Sequence, residues 1–196
     1  MHKKTNLPDD RPKFDNPILE TLSEITTLKA LYRQGWIQQG VEKSICESVA
    51  DHSFSTAMMA WIIALESFPE LDADKVLKMA IVHELGEIYT GDITPQDQVS
   101  LEDKHQMEEE SVCKVLDKLP HGSQLKALWE EFENGSTKEA EFVRQIDKLE
   151  MAFQAIHYQR NTQSDLQIFI DYTNNVIQDE RLRDLFKRMV EKHRSI

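Results

Sequence analysis

The sequence predicts an all-α protein, and three observations lead to this class. Glycine and proline are scarce, with 6 of each among 196 residues, while the helix-favouring residues glutamate, lysine, leucine and glutamine are abundant. Apolar residues recur at intervals of three and four positions, which is the spacing of a helix with one buried face. No segment has the pattern of a credible strand. We therefore expect helices packed around one core.

The first predicted helix runs from Pro17 to Tyr32, after a polar, proline-containing arm over residues 1–14. Its apolar positions are Ile18, Leu22, Ile25, Leu28 and Leu31. A second helix begins near Asp51, and either Ser48 or Asp51 could cap it. The predicted core face of this second helix comprises Phe54, Ala57, Met58, Trp61, Ile62 and Leu65.

A third helix starts at Asp72 or Asp74 and is predicted to continue as far as the Thr90–Asp92 segment. Later helices span Ser100 to Leu119, a short amphipathic segment around Trp129, and a long segment that opens at a capping box. That box covers residues 136–139, and the long helix after it has the apolar positions Phe142, Ile146, Leu149, Phe153 and Ile156. Two further amphipathic helices complete a predicted domain over residues 15–196.

Composition restricts the classes of function. The net charge of −12 argues against nonspecific binding to nucleic acid or to an anionic membrane, but not against a small anionic substrate that meets local positive charge. The longest apolar run, Ala57 to Leu65, is far too short to span a bilayer. Cys46 and Cys113 lie far apart, without the spacing of a disulfide framework or a metal site. With a polar N-terminus that has no signal pattern, these features predict a cytoplasmic protein.

The third helix carries His83, Glu84 and Glu87 among apolar neighbours. Burying a histidine and two carboxylates costs free energy unless something compensates, and a divalent cation is the simplest compensation. Two more residues could join such a site: His52 in the first turn of the second helix, and Asp147 in the long helix. From spacing alone this grouping is weak, because His52 could equally be a surface residue at a helix start and Asp147 a solvated or salt-bridged one.

Several segments resemble those of one family. His83–Glu84 resembles the His-Asp doublet of the HD-domain metal-dependent phosphohydrolases. Residues 47–52 resemble the segment around that family's first metal histidine, residues 82–95 the doublet and its following loop, and residues 142–151 the segment that supplies the last ligand. The segments occur in the family's order between Leu19 and Tyr158, and they are most similar to the 5′-deoxynucleotidase branch. The resemblance implies a single HD-domain helical bundle.

The resemblance also implies roles for individual residues. The four metal ligands would be His52, His83, Glu84 and Asp147, which would hold one divalent ion (Mn, Co, Fe, Zn, Ni or Mg). Glu87 matches the acidic catalytic residue, Asp92 matches a loop aspartate beside the site, and Arg33 matches an arginine that contacts substrate. Trp36 could stack on a base or simply fill the loop that contains it.

The implied activity is release of phosphate from 2′-deoxynucleoside 5′-monophosphates by a homodimeric enzyme. One position departs from the family's pattern: Glu84 stands where the doublet has aspartate, and its side chain is one methylene longer. Two alternatives stay open. The protein could hydrolyse another small phosphate ester or a nucleoside triphosphate, or the Glu84 change could have left a non-catalytic helical module that binds a nucleotide.

Overall fold

The computed structural model describes residues 11–162 and 164–195, and most of the predicted arm over residues 1–14 lies outside them. The all-α class is confirmed: helices make up most of the described chain, which contains only one isolated β-bridge and no strand. The α-helices are α1 Pro17–Ile25, α2 Gln34–Gln38, α3 Val49–Ser67, α4 Ala73–Val82, α5 Glu87–Thr90, α6 Leu101–Leu116, α7 Gly122–Asn134, α8 Lys138–Asn161, α9 Gln167–Val176 and α10 Glu180–Arg194. Within these ranges no helix is both long and apolar enough to cross a membrane.

Side-chain caps set where several helices begin. Ser48 caps α3 in a reciprocal capping box with Asp51, and Asp72 caps α4 by accepting two backbone N–H bonds. The long helix α8 is capped by Thr137, which accepts from the amide of Ala140, rather than by the predicted Ser136–Glu139 box. Local hydrogen bonding therefore fixes the starts of the three helices that contribute most to the site.

The first helix is shorter than predicted. α1 ends at Ile25, and a 3₁₀ helix, Thr26–Lys29, follows. The hydroxyls of Thr26 and Thr27 donate to carbonyls three residues earlier, at 2.7 and 2.6 Å, which favours the tighter turn over continuation of the α-helix.

The predicted core face of α3 is mostly wrong, because only Ala57 among its six residues is buried. Phe54, Ile62 and Leu65 are 69%, 52% and 61% exposed, whereas the opposite side of the helix is buried. The buried side carries mainly small residues: Val49, Ser53, Thr56, Ala57, Ala60 and Ala64. On α8, Phe153 was also predicted to be buried but is 56% exposed. Small side chains let α3 pack closely on α4 and α8, and the large apolar ones face outward.

Two clusters of buried apolar residues form the interior. One includes Ala57 and Ala80, and the other includes Val49 and Leu85. Each of α3 and the α4–α5 region therefore passes from one cluster into the other. His52 and the His83–Glu84 doublet occupy the positions between.

Candidate metal centre

The His83–Glu84 doublet lies at the point where α4 ends. Val82 is the last residue of α4, and residues 83–86 form a turn before α5, so the predicted continuous helix through the motif is wrong. The Nδ1 atom of His83 lies 2.7 Å from the carbonyl oxygen of Ala80, which in a continued helix would accept from the amide of Glu84. A proton on Nδ1 satisfies this bond and leaves the Nε2 lone pair of His83 for a ligand.

His52 lies in the first turn of α3, on the side that faces the interior. Its side chain is fully buried, and the two imidazole ring centroids of His52 and His83 are 5.4 Å apart. Its Nδ1 atom is 2.6 Å from Oε2 of Glu150, on α8. As in His83, one ring nitrogen is engaged by a protein acceptor, and Nε2 points away from that partner.

The structure brings the predicted ligands together. The ligand atoms of His52, His83 and Glu84 all lie within 4.8 Å of one another. Oε1 of Glu84 is 3.6 Å from Nε2 of His52 and 3.5 Å from Nε2 of His83. Asp147 meets this group through His52, with its Oδ1 3.2 Å from Nε2. The packing of the bundle thus brings together residues of α3, the doublet and α8 that are far apart in the sequence.

This donor set fits a divalent cation. The Nε2 atoms of both histidines are buried and make no hydrogen bond within the described chain. Buried polar atoms without partners are costly, and imidazole nitrogens beside two carboxylates are ordinary ligands of first-row divalent metals.

Charges around the site determine which ligands carry protons. Burial lowers the pKa of His83 and favours its neutral form. Burial and Arg33 also oppose protonation of His52, but Glu150 and Asp147 outweigh them and raise the pKa of His52 to about 10. A cation that binds Nε2 of His52 therefore has to displace a proton.

Arg33 reaches the site from the N-terminus of α2. Its Nη1 atom donates to Oε1 of Glu84 at 3.1 Å and lies 3.9 Å from Oδ1 of Asp92. The other oxygen of Asp92 accepts a hydrogen bond from the backbone amide of Gln34. Burial works against the charge, but Asp92 and Glu84 outweigh it and raise the pKa of Arg33 above its ordinary value. Arg33 thus brings a fixed positive charge to a site rich in carboxylates.

Glu87 is 2% exposed, and its Oε2 atom is buried with no hydrogen-bond partner among the described residues. Burial, with the negative charges of Glu84 and Asp92, raises the pKa of Glu87 well above its ordinary value. A carboxyl group whose pKa is raised in this way keeps its proton to a higher pH than an ordinary glutamate does, and it can serve as an acid.

Trp36 is buried, with 2% of its surface exposed. Its indole N–H donates to Oε1 of Glu47 at 2.7 Å, and its ring packs against Tyr158 and Phe169 at centroid distances of 5.4 and 4.3 Å. This position favours the loop-filling alternative over stacking on a base.

Sequence reasoning missed some neighbours of the site. Lys148 donates to Oδ2 of Asp147 at 2.8 Å, and on α6 Lys104 lies 3.3 Å from Oε1 of Glu108. Gly86 allows α6 to approach, because a Cβ there would lie 2.7 Å from Cβ of Glu108. Lys148 could have been found from its position beside Asp147; the α6 pair depends on a contact between helices that the sequence does not display.

Replacing Glu108 with glutamine is expected to flatten the pH dependence of stability in the metal-free protein. Burial, and to a lesser extent Glu84, raise the folded-state pKa of Glu108 from 4.5 to about 7, against the opposing effect of Lys104. The native state therefore holds this proton more tightly than the unfolded state, and stability falls as pH rises from about 4.5 to about 7. The linked free energy of unfolding is on the order of 3 kcal/mol.

Urea unfolding at about pH 5 and about pH 8 measures this effect. Glu108→Gln should lose less stability than the parent protein between the two values. The partly exposed neighbour Glu109 supplies the control, and Glu109→Gln should behave as the parent does. An unchanged pH dependence in Glu108→Gln would contradict the assignment.

Comparison with known proteins places the chain in a family. The sequence profile of the HD domain matches residues 25–187. The chain belongs to the HD domain family. As an HD domain protein it is 38% identical over 160 residues to a 5′-deoxynucleotidase of Mus musculus, across 80% of this chain and 78% of the mouse protein. It is 37% identical over 161 residues to a 5′-deoxynucleotidase of Schizosaccharomyces pombe, across 78% and 77% of the two chains.

A solved structure of a Pyrococcus horikoshii protein superposes on this HD domain with a TM-score of 0.72 and 32% identity. The superposition covers 87% of this chain and 97% of the archaeal one. The helical bundle that carries the doublet is therefore shared along almost its whole length.

Proposed function

We propose that this HD domain protein is a metal-dependent phosphomonoesterase that releases phosphate from 2′-deoxynucleoside 5′-monophosphates. The observation that carries the proposal is the convergence of His52, His83 and Glu84, whose ligand atoms lie within 4.8 Å of one another. This group occurs in a chain that is 38% and 37% identical to two 5′-deoxynucleotidases over most of each length. The proposal assigns the activity to one HD-type domain over residues 15–196.

Four side chains would hold one divalent ion (Mn, Co, Fe, Zn, Ni or Mg): His52, His83, Glu84 and Asp147. The contact of 3.2 Å between Asp147 and His52 supports including the aspartate with the other three. When bound, such an ion lowers the pKa of a coordinated water and offsets negative charge on the phosphoryl group.

Arg33 binds the phosphate oxygens in this proposal. Its guanidinium has five N–H donors, and the hydrogen bond to Glu84, at 3.1 Å, uses one of them at Nη1. Other donors of the group are therefore left for the phosphate. A planar guanidinium can hold two phosphate oxygens in a fork that lysine cannot reproduce. Asp92, held by the amide of Gln34, orients Arg33 or the substrate sugar. Trp36 supports the backbone that carries Arg33, because the amide of Trp36 donates a hydrogen bond to the carbonyl of Arg33.

Glu87 acts as the general acid. A bond forms between phosphorus and the oxygen of water while the bond between phosphorus and the ribose O5′ breaks. The leaving oxygen needs a proton, and Glu87 supplies it from its buried carboxyl group. The products are a deoxynucleoside and inorganic phosphate. The phosphate leaves the step with both protons of the attacking water, and one of them returns to the Glu87 carboxylate and restores its acid form.

A substrate panel tests the proposal. Protein freed of metal by chelation and then given Mn²⁺ or Co²⁺ should release phosphate from deoxynucleoside monophosphates, and chelated protein should release none. Pyrophosphate or triphosphate release from nucleoside triphosphates would replace this activity with that of a triphosphate hydrolase. Metal binding without hydrolysis of any phosphate ester would leave a non-catalytic module and overturn the proposal.

Shortening Glu84 to aspartate is expected to keep or raise metal affinity. The shorter side chain withdraws the carboxylate from Arg33, which lies 3.1 Å away, but an aspartate oxygen remains a normal metal ligand. Calorimetric titration with Mn²⁺ measures the affinity. The matched variant Glu84→Gln keeps the length but removes the charge, and it should bind at least about 10-fold more weakly. Complete loss of metal in Glu84→Asp would contradict the proposed ligand set.

We also propose that the protein is a cytoplasmic homodimer. Its two cysteines, Cys46 and Cys113, are both free, as expected in a reducing compartment. The exposed residues of α10 are almost all charged, so this helix offers little apolar surface for the dimer. A stripe along α3 offers more, and a second copy of this chain is the proposed occupant. The stripe consists of Phe54, Met58, Trp61, Ile62 and Leu65.

The α3 stripe suits self-association for two reasons. It exposes large apolar side chains, with Phe54 at 69% and Leu65 at 61%, and contiguous apolar surface of this kind marks interaction sites. It contains no charged residue, so two copies with a net charge of −12 each can meet there without placing like charges in contact.

Phe54→Glu is expected to convert the dimer to a monomer, because it places two like charges in a symmetric interface. Light scattering after size exclusion measures the mass. Leu101→Glu, at a residue that is 88% exposed outside the stripe, is the control and should leave the mass unchanged. A parent protein that is monomeric at all concentrations would refute the proposed dimer and leave the proposed activity standing.

A further inference from the structure

A buried group of acidic residues lies behind His52, on the side of its ring that faces away from the proposed metal. The ligand atoms of Glu47, His52 and Glu150 all lie within 4.8 Å of one another, and all three residues are buried. Oε2 of Glu150 is 2.6 Å from Nδ1 of His52. Oε1 of Glu47 accepts the indole N–H of Trp36 at 2.7 Å. Trp36 thus contacts Glu47, and Glu150 contacts the ring of His52, with an oxygen of each carboxylate within 4.8 Å of the other.

These contacts favour hydrogen bonding over a second cation. One oxygen of each carboxylate already meets an N–H donor: the indole of Trp36 for Glu47, and Nδ1 of His52 for Glu150. A cation that used Nδ1 of His52 as a ligand would have to break the contact between Nδ1 and Glu150. With its proton on Nδ1, His52 can direct only Nε2 toward a metal.

Two residues of one turn of α8 face the two ring nitrogens of His52. Asp147 approaches Nε2 at 3.2 Å, and Glu150, three residues later, approaches Nδ1 at 2.6 Å. Residues three apart lie on one face of a helix, so both contacts come from a single rigid surface. The hydroxyl of Thr173 donates to the carbonyl of Lys148 at 2.8 Å and ties this turn to α9.

The same helix also fixes the segment that carries Glu47. The backbone amide of Glu47 donates to the hydroxyl of Tyr158 at 2.8 Å, and that hydroxyl lies 3.2 Å from the carbonyl of Ile45. Tyr158 is 4% exposed and also packs edge-on against Trp36 at 5.4 Å. Glu47 is therefore held in place by its backbone as well as by its side chain.

We propose that Glu150 is a positioning residue that fixes the orientation and tautomer of His52, and that Glu47, fixed by Trp36 and Tyr158, limits the positions open to Glu150 behind it. The inference rests on the proposed role of His52 as a metal ligand. Partners of this kind typically change metal affinity by about 10–100-fold when they are removed, because the ligand ring loses its preferred orientation and part of its basicity.

Metal titration of Glu150 variants tests the inference. Glu150→Ala should weaken Mn²⁺ and Co²⁺ binding by about 10–100-fold and alter the visible absorption spectrum of bound Co²⁺. Glu150→Gln, whose amide oxygen can still accept from Nδ1, should recover most of the affinity and the parent spectrum. The matched control is Glu24→Gln on α1, because Glu24 and Glu150 are both 3% exposed and Glu24 bonds instead to Tyr89 and Lys118. It should leave metal affinity unchanged even where it lowers the melting temperature.

Trp36→Phe examines the far end of the chain of contacts. It removes the indole N–H while keeping an aromatic ring in the core, so it should weaken metal binding by about 3-fold, which is less than direct loss of Glu150. A raised KM for nucleotide with unchanged metal affinity would instead assign Trp36 to the substrate and remove it from this network.

The outcomes separate the inference from the proposed function. If the parent protein binds no metal, the proposed function fails. If the parent binds metal and a folded Glu150→Ala variant binds it equally well with the same Co²⁺ spectrum, only the positioning role fails. Two ions per chain in the parent and one in Glu150→Ala would make Glu150 a ligand and would also overturn the positioning role. Should Glu150→Ala not fold, Glu150→Leu takes its place. A loss of metal affinity in Glu150→Leu would support the positioning role, and an unchanged affinity would overturn it.

Discussion

Replacing His83 with alanine is expected to remove metal binding and phosphatase activity together. Nε2 of His83 lies 3.5 Å from Oε1 of Glu84 in the group that would hold the cation. Among the described residues, His52 is the other histidine of this group. A site that loses one of four ligands should bind at least about 100-fold more weakly, and kcat/KM should fall by on the order of 1,000-fold or more. Metal analysis after dialysis and phosphate release measure the two effects.

The control for this variant has to separate chemistry from folding, because His83 is buried and its ring packs 5.2 Å from that of Phe132. His83→Gln keeps most of the volume, and it should lose metal and activity as alanine does while unfolding closer to the parent temperature. His157→Ala removes an exposed histidine and should change neither metal content nor activity. Unchanged activity in a folded His83→Ala variant would reject the proposed centre.

The sequence predicts local features of this fold better than orientation. The residues that cap α3 and α4 were among those expected, because a cap needs only a short polar side chain next to an apolar helical pattern. The same pattern could not show which side of α3 faces inward. Periodicity locates an amphipathic face, but close packing selected the side with Ala57 and Ala60 and left Phe54 exposed. That choice depends on α4 and α8, which lie elsewhere in the chain.

The candidate site was predictable through resemblance, and only in part through spacing. His83 and Glu84 are adjacent, so any fold places them together, but His52 and Asp147 meet them only because α3, α4 and α8 pack side by side. The end of α4 at Val82 was not visible either, because it follows from the bond between His83 and the carbonyl of Ala80. The spacing of apolar residues does not show that a side chain will bond to a backbone carbonyl of its own helix in place of a backbone amide.

The role proposed for Glu150 also depends on a contact between distant parts of the chain that the sequence does not show. Its position three residues after Asp147 places both on one face of α8, which the sequence displays. What it contacts there is the far nitrogen of His52, almost a hundred positions earlier in the chain. A buried glutamate in a long helix therefore looked unremarkable until its partner was known.

Replacing Glu87 with glutamine is expected to lower kcat for deoxynucleoside monophosphates by about 100- to 10,000-fold, with metal affinity retained. Glutamine keeps the shape of the buried side chain but cannot donate the proton that the leaving ribose oxygen needs. Burial and the nearby carboxylates of Glu84 and Asp92 raise the pKa of Glu87, so the active, protonated form is lost as pH rises through that raised pKa. The parent enzyme should therefore show an alkaline fall in kcat that is absent from the residual activity of the variant.

A second substrate identifies the step that Glu87 serves. p-Nitrophenyl phosphate has a leaving group that departs without a proton, so Glu87→Gln should slow its hydrolysis by no more than about 10-fold while the nucleotide reaction is slowed far more. Equal losses on the two substrates would argue that Glu87 acts on the attacking water and not on the leaving group. Loss of metal in Glu87→Gln would instead place its carboxylate among the ligands. Because Oε2 of Glu87 is buried and has no hydrogen-bond partner in the part of the chain that the structure describes, the difference between the two substrates tests directly whether that atom faces the ribose oxygen.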